Sequence, residues 1–216
     1  MSKDKKPPRI KNIIFDLGGV LADLDFDKGL AAFAAIGVPD PKKTLGSDES
    51  KQLFRKYETG KAETAEVFAH IRALSAAAPT DDELTVAMNA MITGFPAERV
   101  ALLGVLKTKA RLFLLSNINS VHHAYVQKLY RDLHGGNLDD HFEKAYYSHL
   151  VGRRKPAPAV FMHVITDAKI NAKETLFIDD MPDNLRSAGL AGLHTAHVAP
   201  GTSVLDLGLD KLPLAD

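Results

Sequence analysis

Short apolar runs recur along the chain and are separated by segments in which apolar residues follow a helical spacing. Three of the first four runs have continuously apolar interiors without alternation, which is typical of strands buried on both faces of a parallel sheet. They therefore predict the strands of such a sheet. The runs are Asn12–Asp16, Arg111–Ser116, Lys144–Tyr147 and Thr175–Asp179, followed by a weaker run at His194–Val198.

Amphipathic helices are predicted between these runs. From Ser120 to His134 the apolar residues fall on one stripe, and Gly135 is a typical residue for ending a helix. A second helix is predicted over Ala157–Ala168. A third begins near Pro182, because proline is favoured in the first turn of a helix. Strands that alternate with helices indicate an α/β fold built on an open, doubly wound parallel sheet.

The stretch from residue 25 to residue 95 interrupts this alternation. It carries helical patterns and no convincing strand, and its length of about 70 residues is too great for a plain connection between a strand and a helix. We therefore predict a small helical cap domain at 25–95, inserted after the first strand into a core domain formed by 10–24 and 96–216. The predicted cap helices are Lys28–Ile36, Glu49–Glu58, Ala62–Ser75 and Asp81–Met91.

Composition and charge narrow the range of functions. The 27 basic residues equal the 27 acidic residues, so charge gives no reason to expect nucleic acid or an anionic membrane as a partner. The absence of cysteine excludes disulfides, thiolate metal sites and a cysteine nucleophile. Residues 1–9, basic with two prolines, predict a disordered tail. No run reaches the ~18 apolar residues of a membrane span and no signal sequence is seen, so we expect a cytoplasmic protein.

Polar residues stand where the predicted strands end. Asp16 ends the first strand, Ser116 and Asn117 end the second, and Asp179 and Asp180 end the fourth. Because ligands of open α/β sheets bind at the carboxyl ends of the strands, these side chains should meet in one crevice. The adjacent carboxylates repel each other unless a cation neutralises them, and such hard oxygen ligands suit Mg²⁺.

Each of these residues also has an ordinary structural explanation when it is considered alone. Asp16 could cap a helix or stabilise a turn, and Ser116 and Asn117 could form a turn. Lys155 could belong to a solvated basic loop. What is specific is the joint occurrence of these residues, in this order and at these strand ends.

With these residues in place, the chain resembles the haloacid dehalogenase-like superfamily over about residues 10 to 200. The predicted cap also has the position and size of the small cap domain in that family. The segments that resemble the four family motifs are, in chain order, Ile14–Leu21, Leu115–Asn117, Lys155–Pro156, and Phe177–Asp180 followed by Asn184.

The resemblance implies a Mg²⁺-dependent phosphohydrolase in which Asp16 attacks phosphorus and forms an aspartyl-phosphate. It implies that Mg²⁺ bridges Asp16 and the phosphate of a small-molecule ester, with Asp180 as a second ligand. Asp179 would bind the ion through water or act as a hydrogen-bond acceptor behind the ligands, and Gly18 would offer its backbone carbonyl.

The resemblance also implies which groups hold the phosphate oxygens. They are the Ser116 hydroxyl, the Asn117 backbone N–H and the Lys155 ammonium. Such donors oppose the negative charge on the transferring group, which is where catalysis of phosphoryl transfer mainly lies.

Gly18 departs from the family pattern, because phosphatases of the family usually carry there a second aspartate that protonates the leaving group. Loss of an acid–base group typically costs ~10²–10⁴-fold in rate. The Asp-x-Gly pattern resembles a branch of bacterial sugar phosphate phosphatases, notably of glucose 1-phosphate, whose leaving group needs less help. The missing role could fall to the substrate, to a metal-bound water or to Asp23, although a structural role for Asp23 at the cap hinge is favoured.

Two other functions remain open. A fold that has lost catalysis, and instead binds a phosphorylated ligand or a partner protein, would also fit Gly18. Dehalogenation of a haloacid would use Asp16 without a metal, but Asp179 and Asp180 would then repel the anionic substrate.

Further candidates lie around the predicted crevice. His122 and His123 begin a helix beside it and could touch the substrate, although histidines at a helix start are more often surface residues. On the cap, Phe54, Arg55 and Tyr57 could select the substrate when the cap closes, or could simply pack or face solvent.

Overall fold

A five-stranded parallel sheet forms the centre of the computed structural model, which describes residues 9–211. Counting a separate two-stranded ribbon, the strands are β1 (Asn12–Phe15), β2 (Asp23–Leu24), β3 (Ile92–Gly94), β4 (Arg111–Ser116), β5 (Lys144–Tyr147), β6 (Thr175–Asp179) and β7 (His194–His197). The order across the sheet is β5-β4-β1-β6-β7, so the chain winds outward from β1 in both directions. The predicted doubly wound sheet is thereby confirmed. Of the predicted tail, residues 1–8 lie outside the described residues.

Both faces of the sheet are buried, because successive residues of a strand point to opposite sides. Ile14 lies in register with Phe113 and Phe177 on its two neighbouring strands, and the three side chains share one apolar cluster. Phe15 and Leu114, the next residues along, belong to the cluster on the other face. The continuously apolar runs therefore supply two layers of core at once.

The helices are α1 (Phe26–Ala35), α2 (Pro41–Thr44), α3 (Asp48–Tyr57), α4 (Thr64–Leu74), α5 (Asp81–Asn89), α6 (Ala97–Lys107), α7 (Ser120–His134), α8 (Ser148–Val151), α9 (Pro158–Asp167) and α10 (Pro182–Leu190). Those that follow the insertion cover both faces of the sheet. Residues of α6 and α7 join the apolar cluster on one face, and residues of α9 and α10 join the other. Within residues 9–211, no helix combines the length and the apolar character needed to cross a membrane.

The predicted helix Ser120–His134 has the bounds of α7, and its two ends show why. The Asn119 side chain accepts a hydrogen bond from the backbone N–H of His122, which satisfies a donor that the first turn leaves free. Gly135 follows the last turn with φ of 72°, a backbone conformation that a residue with a Cβ rarely adopts.

The helices α1 to α5 of the insertion pack around an apolar cluster separate from those of the sheet. Its buried members include Tyr57, Val67, Ile71, Leu84 and Met88. The predicted cap helices agree with α1, α3, α4 and α5 to within about two residues at each end, which is the usual uncertainty of a helix boundary. The cap boundaries at residues 25 and 95 stay a prediction.

The expectation that residues 25–95 contain no strand was wrong. Strand β3 pairs antiparallel with β2, and the backbone N–H of Asp25 donates to the Met91 carbonyl at 2.8 Å beside the pair. Two strands this short carry no alternating pattern, and their pairing depends on residues some 70 positions apart. The ribbon joins the two points at which the chain enters and leaves the helical insertion.

Candidate active site

The nucleophile candidate Asp16 lies at the carboxyl edge of the central strand. It directly follows β1, and its backbone N–H donates to the Ile178 carbonyl on β6 at 2.9 Å. Ser116 is the last residue of β4, and Asp179 is the last residue of β6. Because β4 and β6 flank β1 in parallel, residues from three distant parts of the sequence meet at one edge of the sheet, as predicted.

Lys155 lies between two of the carboxylates. Its Nζ is 2.7 Å from Asp16 Oδ1 and 2.8 Å from Asp179 Oδ2, and its side chain is only 1% exposed. The attraction of both carboxylates raises the Lys155 pKa against the opposing effect of burial. The ammonium is therefore held in its charged form at the place where it could contact a phosphate oxygen.

The Asn117 side chain fixes the backbone of Lys155. Its Oδ1 accepts the Lys155 N–H at 2.8 Å, and its Nδ2 donates to the Lys155 carbonyl at 2.9 Å. The predicted phosphate contact of Asn117 concerned its backbone N–H, so this clamp is an additional feature. It connects the loop after β4 to the segment that carries the cation.

Asp179 is wholly buried and fully engaged in hydrogen bonds. Besides Lys155, it accepts from Asn184 Nδ2 at 2.9 and 3.1 Å and from the Met181 N–H at 2.8 Å. These donors stabilise a carboxylate that would otherwise be costly to bury. They also fix the direction of the turn after β6 and hence the position of Asp180.

Three carboxylates converge at this point. Asp16, Asp179 and Asp180 each place an oxygen within 4.8 Å of the others. Burial raises the pKa of Asp16 to about 7, opposed by Lys155 and reinforced by Asp179. Burial and the Asp179 charge also raise the Asp180 pKa. Carboxylates that resist ionisation without a counter-charge are a suitable donor set for a divalent cation.

A cavity of about 180 Å³ opens beside these residues, under the helical insertion. Gly18, Ser116 and Asn117 line it, and so do Glu58 and His122. Its volume is below the ~300–1,000 Å³ of sites for drug-sized ligands, so it fits a small metabolite.

The position of Gly18 is filled by another side chain. A Cβ added there would lie 2.7 Å from Leu24 Cδ1. A side chain at residue 18 would therefore require the end of the Leu24 side chain to shift. With glycine at this position, residue 18 supplies no acid to the cavity.

The sequence of this chain matches the family model for haloacid dehalogenase-like hydrolases over residues 10–192. The chain belongs to the haloacid dehalogenase-like hydrolase family. The predicted resemblance is confirmed, and the sheet with helices on both sides is the fold of this family.

Three comparisons place this hydrolase within the family. It is 30% identical to D-ribitol-5-phosphate phosphatase from Bacteroides thetaiotaomicron over 186 residues, which is 86% of this chain and 90% of the relative. A family enzyme from the same organism has been solved with magnesium and inorganic phosphate, both as the wild type and as an aspartate-to-alanine mutant. The mutant structure has 32% identity and a TM-score of 0.86, covering 92% of this chain and 98% of that chain. The wild type has 33% identity and a TM-score of 0.83, covering 92% and 99%.

The structure also shows the positions of the other residues that the sequence suggested for the site. Asp23, weighed as a replacement acid, forms an ion pair with Arg99 at 2.9 Å and does not line the cavity, as its favoured structural role implies. His122, expected more often to be a surface residue, lines the cavity instead. Among the cap candidates, Tyr57 is buried and Phe54 packs against the same cluster.

Sequence reasoning missed Glu58 and Arg154. Glu58 follows α3 directly and reaches the cavity, and Arg154 Nε lies 2.8 Å from its Oε2. The single signal for Arg154 was its position next to Lys155. Nothing local to Glu58 marks it, because its importance comes from the way the insertion folds over the sheet.

Gly19→Ala is expected to weaken binding of Mg²⁺ at least tenfold. Gly19 has φ of 74°, and an added Cβ would lie 2.6 Å from Asp180 Oδ2, so the methyl group must displace that carboxylate. Calorimetric titration with Mg²⁺ measures the change. Gly201→Ala is the matched control, because Gly201 has φ of 80° and open space around it. Both variants should lose about 1–2 kcal/mol to backbone strain. Equal Mg²⁺ affinity in the two would show that Asp180 has room to move.

Proposed function

We propose that this hydrolase is a Mg²⁺-dependent phosphatase of small phosphate monoesters that acts through an aspartyl-phosphate on Asp16. The observation that carries the proposal is the triad of Asp16, Lys155 and Asp179 at the carboxyl edge of the sheet. It combines a buried nucleophile with a fixed cation, next to a cluster of carboxylates. The chain's membership of the family and its 30% identity to a named phosphatase support the same reaction.

The donor set fits a magnesium ion. Asp16 and Asp180 would hold it with the Gly18 carbonyl, and Asp179 would stand behind them, because its oxygens already accept from Lys155, Asn184 and the Met181 N–H. When bound, Mg²⁺ neutralises charge on the phosphate and on the carboxylates. Its presence in two solved relatives agrees with this assignment.

The residues around the phosphate have separate roles in the reaction. An Asp16 oxygen attacks phosphorus, while the Lys155 ammonium, the Ser116 hydroxyl and the Asn117 N–H hold the phosphate oxygens. The ammonium of Lys155 is held by Asp16 and Asp179 before substrate arrives, so it needs little reorganisation as charge moves in the transition state. Water then attacks the phosphorus of the intermediate and releases inorganic phosphate.

We infer that the substrate is a sugar or polyol phosphate. The relative named as a D-ribitol-5-phosphate phosphatase supports an open-chain polyol phosphate, and the Asp-x-Gly pattern supports a sugar 1-phosphate such as glucose 1-phosphate. The cavity of about 180 Å³ favours a small leaving group in either case.

The protein is expected to release phosphate from a sugar phosphate only when Mg²⁺ is present. The assay compares D-ribitol 5-phosphate, glucose 1-phosphate and a simple aliphatic phosphate, with Mg²⁺ or with a chelator. Asp180→Asn should raise the Mg²⁺ requirement at least tenfold. Asp183→Asn is the control, since Asp183 is exposed and pairs with Arg186. Full activity in the chelator would contradict the magnesium site.

One observation favours a second function. Residue 18 is a glycine, so this chain lacks the acid that phosphatases of the family usually carry at that position. A protein that binds Mg²⁺ and phosphate but releases phosphate from none of the esters would be a binder of phosphorylated ligands.

A further inference from the structure

The cavity beside Asp16 offers few groups that could protonate a leaving oxygen. Among the described residues that line it, only Glu58 and His122 carry titratable side chains. Residue 18, from which the family usually supplies the acid, is a glycine with Leu24 packed against it. The proton must therefore come from one of these two residues, from the substrate or from solvent.

His122 is already committed to two hydrogen bonds. Its Nε2 lies 2.9 Å from the Met88 carbonyl, an acceptor, so this nitrogen carries the proton. Its Nδ1 then accepts from Asn119 Nδ2 at 3.2 Å. Burial lowers the His122 pKa, which favours this neutral form. A neutral imidazole with both nitrogens engaged has no proton to give to a substrate.

Glu58 is held over the cavity by contacts of the residues around it. The Tyr57 hydroxyl lies 2.9 Å from Ser120 Oγ at the start of α7, which ties the end of α3 to the core. Glu58 itself pairs with Arg154, one residue before Lys155. Gly60 packs so closely on the His149 carbonyl that no side chain would fit there. These contacts fix the segment from residue 57 to residue 60 against the site.

We propose that Glu58 is the proton donor that replaces the missing aspartate at position 18, an inference that rests on the proposed phosphatase function. As the bond from Asp16 to phosphorus forms and the ester P–O bond breaks, the Glu58 carboxylic acid gives its proton to the departing oxygen. The product leaves as a neutral alcohol, and the Glu58 carboxylate remains beside Arg154.

The second half of the reaction restores the acid. Water attacks phosphorus, its oxygen forms the new P–O bond, and the bond from Asp16 to phosphorus breaks. The Glu58 carboxylate takes the proton that the water loses. One group thus serves as acid and then as base, and inorganic phosphate leaves with Asp16 free again.

The surroundings of Glu58 are compatible with both its protonated and its ionised form. Burial raises the Glu58 pKa, although the positive charges of Arg154, Arg55 and Lys155 each lower it. The net shift of the Glu58 pKa is upward, which is the direction that a proton donor needs. After proton transfer, Arg154 neutralises the carboxylate that is left.

The test uses Glu58→Gln and a series of aryl phosphates whose ring substituents make the leaving oxygen progressively less basic. None of these leaving groups carries a hydroxyl, so lost recognition of a sugar cannot explain a change. The measured quantity is kcat/KM, which includes substrate binding and phosphoryl transfer to Asp16 but not hydrolysis of the intermediate when the transfer is irreversible. Glu63→Gln, an exposed carboxylate on the same cap segment, is the matched control.

For Glu58→Gln we expect a loss of about 10²–10⁴-fold with the most basic leaving group and of less than tenfold with the least basic one. A uniform loss across the series would overturn the proposal and make Glu58 a positioning residue. An unchanged kcat/KM throughout would overturn it as well. If the wild-type protein is inactive on every ester, the phosphatase function itself is refuted. The wild-type measurements therefore separate failure of the proposed function from failure of the role of Glu58.

Discussion

Lys155→Met is expected to cost about 3–5 kcal/mol of folding free energy and to remove nearly all phosphatase activity. Lys155 is buried between Asp16 and Asp179, and methionine keeps the shape of its stem without the charge. Two carboxylates would then face each other in a dry site with no cation. The stability change is measured by chemical denaturation in the absence of Mg²⁺.

Lys144→Met is the matched control for this experiment. Lys144 lies 2.7 Å from Asp167, the same distance as between Lys155 and Asp16, but both side chains of the Lys144–Asp167 pair are partly exposed. An exposed pair contributes only about 0–1 kcal/mol, since water screens it. Equal losses in the two variants would show that burial adds nothing to the Lys155 pairs.

The loss in Lys155→Met should also grow with pH. In the wild type Lys155 lowers the Asp16 pKa against the larger effect of burial, so without the lysine the folded-state pKa of Asp16 rises further above its unfolded value. A carboxyl group whose pKa is raised by folding binds a proton in the native state, so stability falls as pH rises toward the folded pKa. The difference from the wild type should therefore be smaller at pH 5 than at pH 8.

The fold was predictable because its signals are local and strong. The run Thr175–Asp179 is buried at every position and has a continuously apolar interior, which is typical of strands with two buried faces. The carboxyl ends of the parallel strands then place Asp16, Ser116 and Asp179 together, whatever the loops do. Helix α6 was not predicted, although Val100, Leu103 and Leu106 have a helical spacing.

The parts that sequence reasoning missed depend on contacts between distant segments. Strand β3 exists because it pairs with β2, and neither has a pattern of its own. Leu24 fills the space at Gly18, which no propensity indicates. Glu58 was predicted only as the last residue of a helix. Its position over the cavity depends on how Tyr57 and Gly60 contact the core.

Asp16→Asn is expected to lower phosphatase activity by about 10⁴–10⁶-fold, because an amide cannot form the covalent intermediate. The substitution should leave the local hydrogen bonds in place. Asp16 Oδ1 accepts from both Lys155 Nζ and the Leu17 N–H, and the amide oxygen of asparagine can accept the same two bonds. Phosphate release is the measurement, with Asp183→Asn as an active control. Activity within tenfold of the wild type would refute the role of Asp16 as nucleophile.

The same variant should be more stable than the wild type when no metal is bound. Folding raises the pKa of Asp16 from its ordinary value to about 7, chiefly by burial, so the ionised group opposes folding. In the wild type this cost appears as pH rises from about 4 to about 7 and persists above it, and the uncharged asparagine avoids it. We expect a gain of at least about 1 kcal/mol at pH 8, or about 2–4 °C in Tm for a chain of this size.

Saturating Mg²⁺ should narrow or reverse the difference in stability. The ion stabilises the native state more when it binds more tightly, and Asp16 contributes to its affinity. A variant that is less stable than the wild type in chelator at pH 8 would mean that the attraction of Lys155 outweighs the burial of Asp16.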